Sequence, residues 1–114
     1  MDKELSEVLG MHVGDGCISI TEKYYEYALC GDLYEEKDYY NSHVAKLYKI
    51  ILKRPIIIKK YPSNGICGFH IFDKSVVDFF VSFGLPIGSK LNVDIPLFVK
   101  KNDKRLKLFL RGLF

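Results

Sequence analysis

A short run near the start of the chain combines closely spaced small residues with an acid. Gly10 and Gly14 lie four residues apart, and Asp15 and Gly16 follow directly. On a helix, small residues at this spacing form a flat strip along which a second helix can approach at close backbone distance. The acid beyond the strip would then lie beside the acid of the partner helix. Two such carboxylates can share divalent cations, which activate water and stabilise a leaving oxygen in phosphodiester hydrolysis.

The elements that must position this acid follow from the hydrophobic pattern. Residues 2–13 carry apolar side chains at helical spacing, and the glycines at 14–16 predict a turn that ends the helix. Residues 17–21 alternate between apolar and polar side chains, and an aromatic-rich second strand is predicted from about 24 to 31. A helix is predicted from about 35 to 53, because helical spacing returns there and Pro55 stops it.

The rest of the chain continues with a hairpin and two helices. Turn residues between two apolar runs indicate the hairpin, and Asp73 and Asp103 are predicted N-caps. The predicted elements are strands over 56–61 and 66–72 that turn at Ser63–Gly65, a helix over 73–83, an ordered connection over 85–98 and a basic helix over 103–114. The order α-β-β-α-β-β-α-α predicts one α+β domain.

The run Val8–Gly16 resembles the dodecapeptide form of the LAGLIDADG motif of homing endonucleases, and the likeness extends along nearly the whole chain. Segments 29–33, 84–90 and 109–114 resemble, in that order, the family's entry to the second helix, its linker and the opening of a second motif. The resemblance implies an α-β-β-α-β-β-α unit with a curved antiparallel sheet and helices on one face. Residues 1–114 would form one domain, with 99–114 as the opening helix of a truncated second repeat.

What the resemblance implies about activity is site-specific cleavage of double-stranded DNA with Mg²⁺ or another divalent cation. Asp15 would be catalytic and a metal ligand, Gly14 a second metal contact, and Lys90 an electrostatic helper. The residues expected to pair the helices are Leu9, Gly10, Val13 and Gly14.

The same resemblance implies that the concave face of the sheet lies along the DNA major groove, where alternate side chains touch bases and phosphates. Since alternation sends only half of the strand residues to the groove, Lys59 and Lys60 cannot both face it. For each tyrosine, packing between strands is the alternative role. The expected DNA contacts are Ser19, Thr21, Lys23, Tyr25, Tyr27, Lys59, Tyr61, Asn64 and His70.

Charge is distributed unevenly along the chain. Residues 1–45 hold 10 acidic and 3 basic side chains, a net charge of −7, whereas residues 46–114 hold 4 acidic and 14 basic side chains, a net charge of +10. A basic region of this kind attracts phosphates. A solvated basic surface explains the same count, so the charge supports DNA binding without establishing it.

Two departures from the family bear on cleavage. Many members carry a basic residue just ahead of the Ile-Pro pair, where this chain has Val93 and Asp94 before Ile95. The sequence also supplies one motif acid, Asp15, where the mechanism uses two. A homodimer that pairs two copies of helix 2–13 would restore the second acid.

Helix 103–114 competes for the same surface, because it carries a partial motif and can pack on helix 2–13 within one chain. The protein would then be a half-enzyme. The alternative function is a non-catalytic DNA- or RNA-binding module, like those of regulators and splicing maturases.

Other classes of protein fit the sequence poorly. Three cysteines without paired spacing argue against a zinc site and against a disulfide framework, and predict reduced thiols buried on strands. Nothing in the spacing of Cys17, His12 and His70 suggests a nucleophile with its base. The chain has no apolar run near the roughly 20 residues that span a bilayer, and its polar start is not a signal peptide, so a cytoplasmic protein is expected.

Overall fold

Helices and strands follow one another in the predicted α-β-β-α-β-β-α-α order, with one short additional helix before the last one. The structure is a computed structural model that describes residues 2–88 and 95–114. The helices are α1 (Asp2–Asp15), α2 (Leu33–Tyr39), α3 (Ala45–Leu52), α4 (Lys74–Val81), α5 (Leu97–Lys100) and α6 (Asp103–Leu113). The strands are β1 (Gly16–Ile20), β2 (Tyr25–Asp32), β3 (Lys59–Tyr61) and β4 (Ile66–Ile71). This order confirms the predicted α+β class.

Helix α1 continues to Asp15, two residues beyond the predicted end. The expected glycine turn is absent, because neither Gly14 nor Gly16 is among the described residues with a positive φ. Gly16 begins β1 directly. A Cβ atom on Gly16 would lie 2.3 Å from Nδ1 of His12, so the glycine is needed for a close approach rather than for a turn.

The four strands form one antiparallel sheet in the order β1-β2-β4-β3. Burial alternates along the central strand β2, where Tyr27, Leu29 and Gly31 are buried and the residues between them are partly exposed. Period-two alternation places the buried set on one face. The helices therefore cover one face of the sheet, as predicted, and we call the other the open face. Strand β3 spans three residues, half of its predicted length.

The long central helix begins earlier than predicted and changes its hydrogen-bonding pattern midway. The side chain of Asp32 caps α2 by accepting hydrogen bonds from the backbone N–H groups of Tyr34 and Glu35. A turn of π-helix over Tyr40–Val44 then joins α2 to α3. Lys53 ends α3 in a left-handed conformation just before Pro55, where the sequence predicted the end.

The C-terminal part differs from the prediction in one cap and in one helix. Asp73 caps α4 as predicted, since its carboxylate accepts the N–H of Ser75. The predicted connection over 85–98 contains the start of α5. The cap of α6 is Asn102 rather than Asp103, because the Asn102 side-chain oxygen accepts the first free N–H groups of the helix.

A hydrogen-bonded aromatic core holds α1 against the sheet. His12 of α1 is fully buried and its Nδ1 lies 3.1 Å from the Tyr27 hydroxyl, which lies 2.7 Å from the Tyr48 hydroxyl of α3. The Tyr27 ring stacks on Phe80 of α4 with centroids 4.3 Å apart. Buried polar groups are stabilised when they bond to one another, so this chain of groups fixes α1 over the central strand.

The cysteines are free thiols on strands, but only one is buried. Cys67 is buried, Cys30 is half-buried and Cys17 is exposed. The prediction of three buried thiols is therefore wrong for Cys17, which lies on the open face near the edge of the sheet. Within residues 2–88 and 95–114, none of the helices has the length and apolar character needed to cross a membrane.

Candidate functional site

Helices α1 and α6 pack against each other at backbone distance. A Cβ atom on Gly10 would lie 2.0 Å from the carbonyl oxygen of Phe109, and one on Gly112 would lie 2.1 Å from the carbonyl oxygen of Glu7. The fit at Gly14 is looser, since a Cβ atom there would lie 3.2 Å from the Leu113 carbonyl oxygen. Glycines on both helices therefore allow the contact, and Gly112 was not predicted to take part.

The other two residues expected to pair the helices differ in burial. Leu9 is fully buried in the core, whereas Val13 packs half-buried against the core edge. The structure thus brings Gly10 and Gly14 to the helix contact itself, while Leu9 contributes to the apolar core beside it.

The two helices run in the same direction and end together. At their N-terminal ends the Arg105 guanidinium donates to the Asp2 carboxylate at 2.8 Å. Gly10 lies eight residues after Asp2 on α1, and Leu113 lies eight residues after Arg105 on α6. Gly10 and Leu113 are again neighbours, so the two helices stay side by side along this length. The C-terminal end of α1, at Asp15, therefore lies beside that of α6.

The buried carboxylate of Glu7 connects α6 and the π-helical turn to α1. The Glu7 carboxylate is almost fully buried, lies 2.5 Å from Nε2 of His43, and lies 3.8 Å from Nε of Arg111 on α6. A buried carboxylate requires such partners. This cluster was not predicted, because in the sequence Glu7 resembles a solvated residue of an amphipathic helix.

Asp15 is an exposed carboxylate held by a buried tyrosine. The Tyr40 hydroxyl donates to Oδ2 of Asp15 at 3.2 Å, and the Tyr40 side chain is 1% exposed. Burial and the adjacent Asp15 charge raise the pKa of Tyr40, so its hydroxyl stays protonated and remains a donor. The ring fits because Gly31 has no side chain: a Cβ there would lie 2.5 Å from the Tyr40 ring.

A pocket of about 380 Å³ opens beside Asp15 at the end of the helix pair. It contains a second carboxylate, that of Glu36, whose Oε1 accepts the backbone N–H of Asp32 at 3.0 Å. Asp32, Glu36 and Tyr40 lie four residues apart, which is the signal that could have placed them on one helix face. The pocket is lined by Met11, Asp15, Leu29, Glu36, Tyr39, Tyr40, Val44, Gly112, Leu113 and Phe114.

The side chains at this end of the helices fit Mg²⁺ only in a site where water and substrate phosphates supply most of the ligands. Mg²⁺ usually keeps several waters and is bound by one or two carboxylates together with substrate phosphates. The described part of the chain contains no group of three or more His, Cys, Asp or Glu side chains that could hold a metal. Asp15 with the Gly14 backbone could supply one side of such a site. Lys90, the expected helper, lies outside the described residues.

Most of the expected DNA contacts lie on the open face or at its ends. Ser19 of β1, Lys59 and Tyr61 of β3 and His70 of β4 share the open face, because they alternate with residues that are buried or face the helices. Lys60 is opposite Cys67 on the helix side, so Lys59 is the lysine on the open face.

The remaining three polar candidates lie in turns. Thr21 and Lys23 are exposed in the turn between β1 and β2, where the Thr21 hydroxyl accepts the N–H groups of Lys23 and Tyr24. Asn64 is exposed in the 3₁₀ turn between β3 and β4.

The expectation that Tyr25 and Tyr27 contact DNA is wrong. Tyr27 is fully buried among the helices, where its hydroxyl bonds to His12 and Tyr48. Tyr25 has the same strand parity and packs half-buried against the core, with the Lys74 Nζ 5.5 Å from its ring centroid. Both tyrosines stabilise the helix side of the sheet, so neither lies on the open face.

The open face also carries residues that were not among the predicted DNA contacts. Glu26 pairs with His70 at 2.7 Å, and Tyr24, Ile57 and Phe72 are exposed beside them. The alternation along β2 that was used to select Tyr25 and Tyr27 also indicates the open-face set. A shift of one residue in that alternation assigns Tyr24 and Glu26 to the open face instead.

Comparison with known proteins shows which fold the chain has but does not assign it to a family. The structure is similar to one described as a mesophilic variant of the homing endonuclease I-DmoI, with a TM-score of 0.64 and 16% sequence identity. The match covers 98% of this chain and 60% of that chain. No family model matches the sequence. No curated protein matches it either. The chain therefore has a homing-endonuclease-like fold and spans about three fifths of the length of that neighbour.

Proposed function

We propose that this chain supplies the DNA-binding face and one catalytic carboxylate of a metal-dependent, site-specific endonuclease that acts on double-stranded DNA. The observation that carries the proposal is the backbone contact between α1 and α6, which brings Asp15 to the shared end of two helices beside an open pocket. The homing-endonuclease-like fold supports it. Residues 1–114 would act as one domain, in which 99–114 open a second repeat.

Asp15, Gly14 and Tyr40 at the helix ends, and Lys90 outside the described residues, each have a defined part in this proposal. Asp15 and the Gly14 backbone would hold Mg²⁺, which when bound supplies the charge that activates water and stabilises the leaving oxygen. Tyr40 orients the Asp15 carboxylate through its hydrogen bond. Lys90 would neutralise charge near the phosphate.

The contact between α1 and α6 favours a half-enzyme over a homodimer. A homodimer that pairs two copies of α1 would need the strip that Phe109 and Leu113 cover. In that arrangement Glu36 is the second carboxylate beside Asp15 among the described residues, and the second motif acid would have to come from elsewhere. The arrangement makes Gly10 a contact within one chain rather than between two subunits.

We therefore expect the chain to be a monomer at micromolar concentration. Sedimentation velocity would show a single species near 13 kDa, the mass of one chain being 13.2 kDa. A stable dimer in which α1 of one copy is cross-linked to α1 of the other would contradict the half-enzyme arrangement and restore the homodimer.

Binding to duplex DNA is expected to weaken steeply as salt is added, because each neutralised phosphate releases counterions. Replacing Lys59 on the open face by alanine should lower the slope of log K against log salt by about one. Lys46, exposed on α3 of the helix layer, is the matched control and its alanine variant should leave the slope unchanged. Absent or salt-independent binding would remove the DNA proposal.

The alternative function, a non-catalytic DNA- or RNA-binding module, is favoured by the shortage of acids at the helix ends. Asp15 and Glu36 are the two carboxylates that line the pocket, and no cluster of three potential metal-binding side chains exists among the described residues. Mg²⁺-dependent cleavage separates the two functions.

A further inference from the structure

The outer end of the open face leaves large apolar side chains in solvent. Ile57 is 73% exposed, Phe72 is 63% exposed and Tyr24 is 42% exposed. A group of exposed apolar residues surrounded by polar ones commonly marks a binding surface. None of these three side chains is required by the helix layer, which packs on the opposite face.

The exposed apolar residues form a continuous row with the rings of His70 and Tyr61. The centroids of Tyr24 and Phe72 lie 5.6 Å apart, those of Phe72 and His70 lie 6.5 Å apart, and those of His70 and Tyr61 lie 5.8 Å apart. Ile57, Tyr61, His70 and Phe72 line one pocket of about 460 Å³. We call Tyr24, Ile57, Tyr61, His70 and Phe72 the outer strip.

Strand geometry explains why the strip is continuous. Tyr24 extends the open-face alternation of β2, Phe72 extends that of β4, and Ile57 extends that of β3. The strip therefore runs across the sheet from β2 to β3 on the open face. Tyr24 immediately precedes β2, Phe72 immediately follows β4 and Ile57 lies two residues before β3, so the apolar groups stand at the ends of the strands.

The charges around the strip suit contact with base edges on the floor of a DNA groove better than contact with the phosphate backbone. The Glu26 carboxylate lines the same pocket beside the strip and lies 2.7 Å from His70, and it would repel a phosphate. Lys59 lines the same pocket on the β3 side and would attract one. An apolar strip beside a lysine fits base edges flanked by backbone.

We propose that the outer strip recognises thymine through its C5-methyl group in the DNA major groove. The inference rests on the proposed binding of double-stranded DNA and names the base chemistry that this part of the face reads. The C5-methyl of thymine is the apolar group that base edges present in the major groove, and apolar side chains contact it. The preferred sites should therefore carry thymine where the outer end of the sheet lies.

The test starts from a random duplex library from which the chain selects its binding sites. Deoxyuridine then replaces each selected thymine, which removes the methyl group and leaves the base pair intact. Loss of one buried methyl is expected to weaken binding about four-fold. In Phe72→Ala and Ile57→Ala the same replacement should have no effect at the strip position. Tyr34→Ala is the matched control, because Tyr34 is 79% exposed but lies on α2.

Each result decides the inference. A thymine preference that disappears with deoxyuridine and with Phe72→Ala supports it. Selected sites without thymine, or thymines that tolerate deoxyuridine, overturn it while leaving duplex binding and the proposed function in place. Tighter binding to single strands than to duplex overturns it in favour of base stacking on the rings. Failure to bind any duplex overturns both the inference and the proposed function.

Discussion

Replacing Asp15 by asparagine is expected to lower Mg²⁺-dependent nicking of duplex DNA by about 1,000-fold or more, because a neutral amide loses several kcal/mol of cation-mediated stabilisation. Folding should be nearly unchanged, since Asp15 is exposed and an amide oxygen can still accept the Tyr40 hydroxyl. DNA affinity without metal should also persist. Nicking of a supercoiled plasmid that contains a selected site measures the first effect, and thermal unfolding measures the second.

The matched control is Asp103→Asn, an exposed acid at the opposite end of the same helix pair. It should nick at the rate of the unmodified chain. Loss of folding in the Asp15 variant would show a structural role for this carboxylate. A chain that binds DNA with salt dependence but never nicks it would establish the non-catalytic alternative.

Replacing Gly10 by alanine is expected to destabilise the fold although alanine favours helices by about 1 kcal/mol. The new Cβ atom would lie 2.0 Å from a backbone carbonyl oxygen of α6, and no side-chain rotation can relieve that overlap. Overpacking costs roughly 1–3 kcal/mol, and the rigid neighbour places Gly10 at the upper end. Helix α6 should separate from α1, which urea unfolding and trypsin cleavage after the basic residues of α6 would both detect.

Alanine variants of two further glycines allow the destabilisation caused by Gly10→Ala to be compared with a similar and a smaller expected effect. Gly112→Ala should cost about as much as Gly10→Ala, since its Cβ atom would lie 2.1 Å from a carbonyl oxygen of α1. Gly14→Ala should remain within about 1 kcal/mol of the unmodified chain, because its nearest contact is 3.2 Å and helix propensity offsets the strain. Equal stability of all three variants would mean that α6 does not pack on α1 in solution.

The order of elements was predictable because hydrophobic period and turn residues are local signals. The pattern of residues 2–13 and the break at Pro55 both correspond to observed helices. Helix ends were less predictable, since Gly14 and Gly16 serve close contacts with Leu113 and His12 rather than the turn that their sequence predicts. The cap of α2 was missed because Asp32 also fits a loop.

The faces of the sheet were harder to assign than the strands themselves. Tyr25 and Tyr27 alternate with Tyr24 and Glu26 along one strand, and either set could face the core when both contain aromatic residues. Tertiary packing on Phe80 decides the phase. The contact between Tyr40 and Asp15 joins residues 25 apart in sequence, so no local pattern reveals it.

The parallel course of α1 and α6 also has an electrostatic consequence. Peptide dipoles in a helix leave about half a negative charge at its C-terminal end. Two helices that end side by side at Asp15 and Leu113 add their negative ends at one place, next to a carboxylate. The local potential there attracts cations, and added salt or a bound divalent ion should relieve the repulsion between the paired ends.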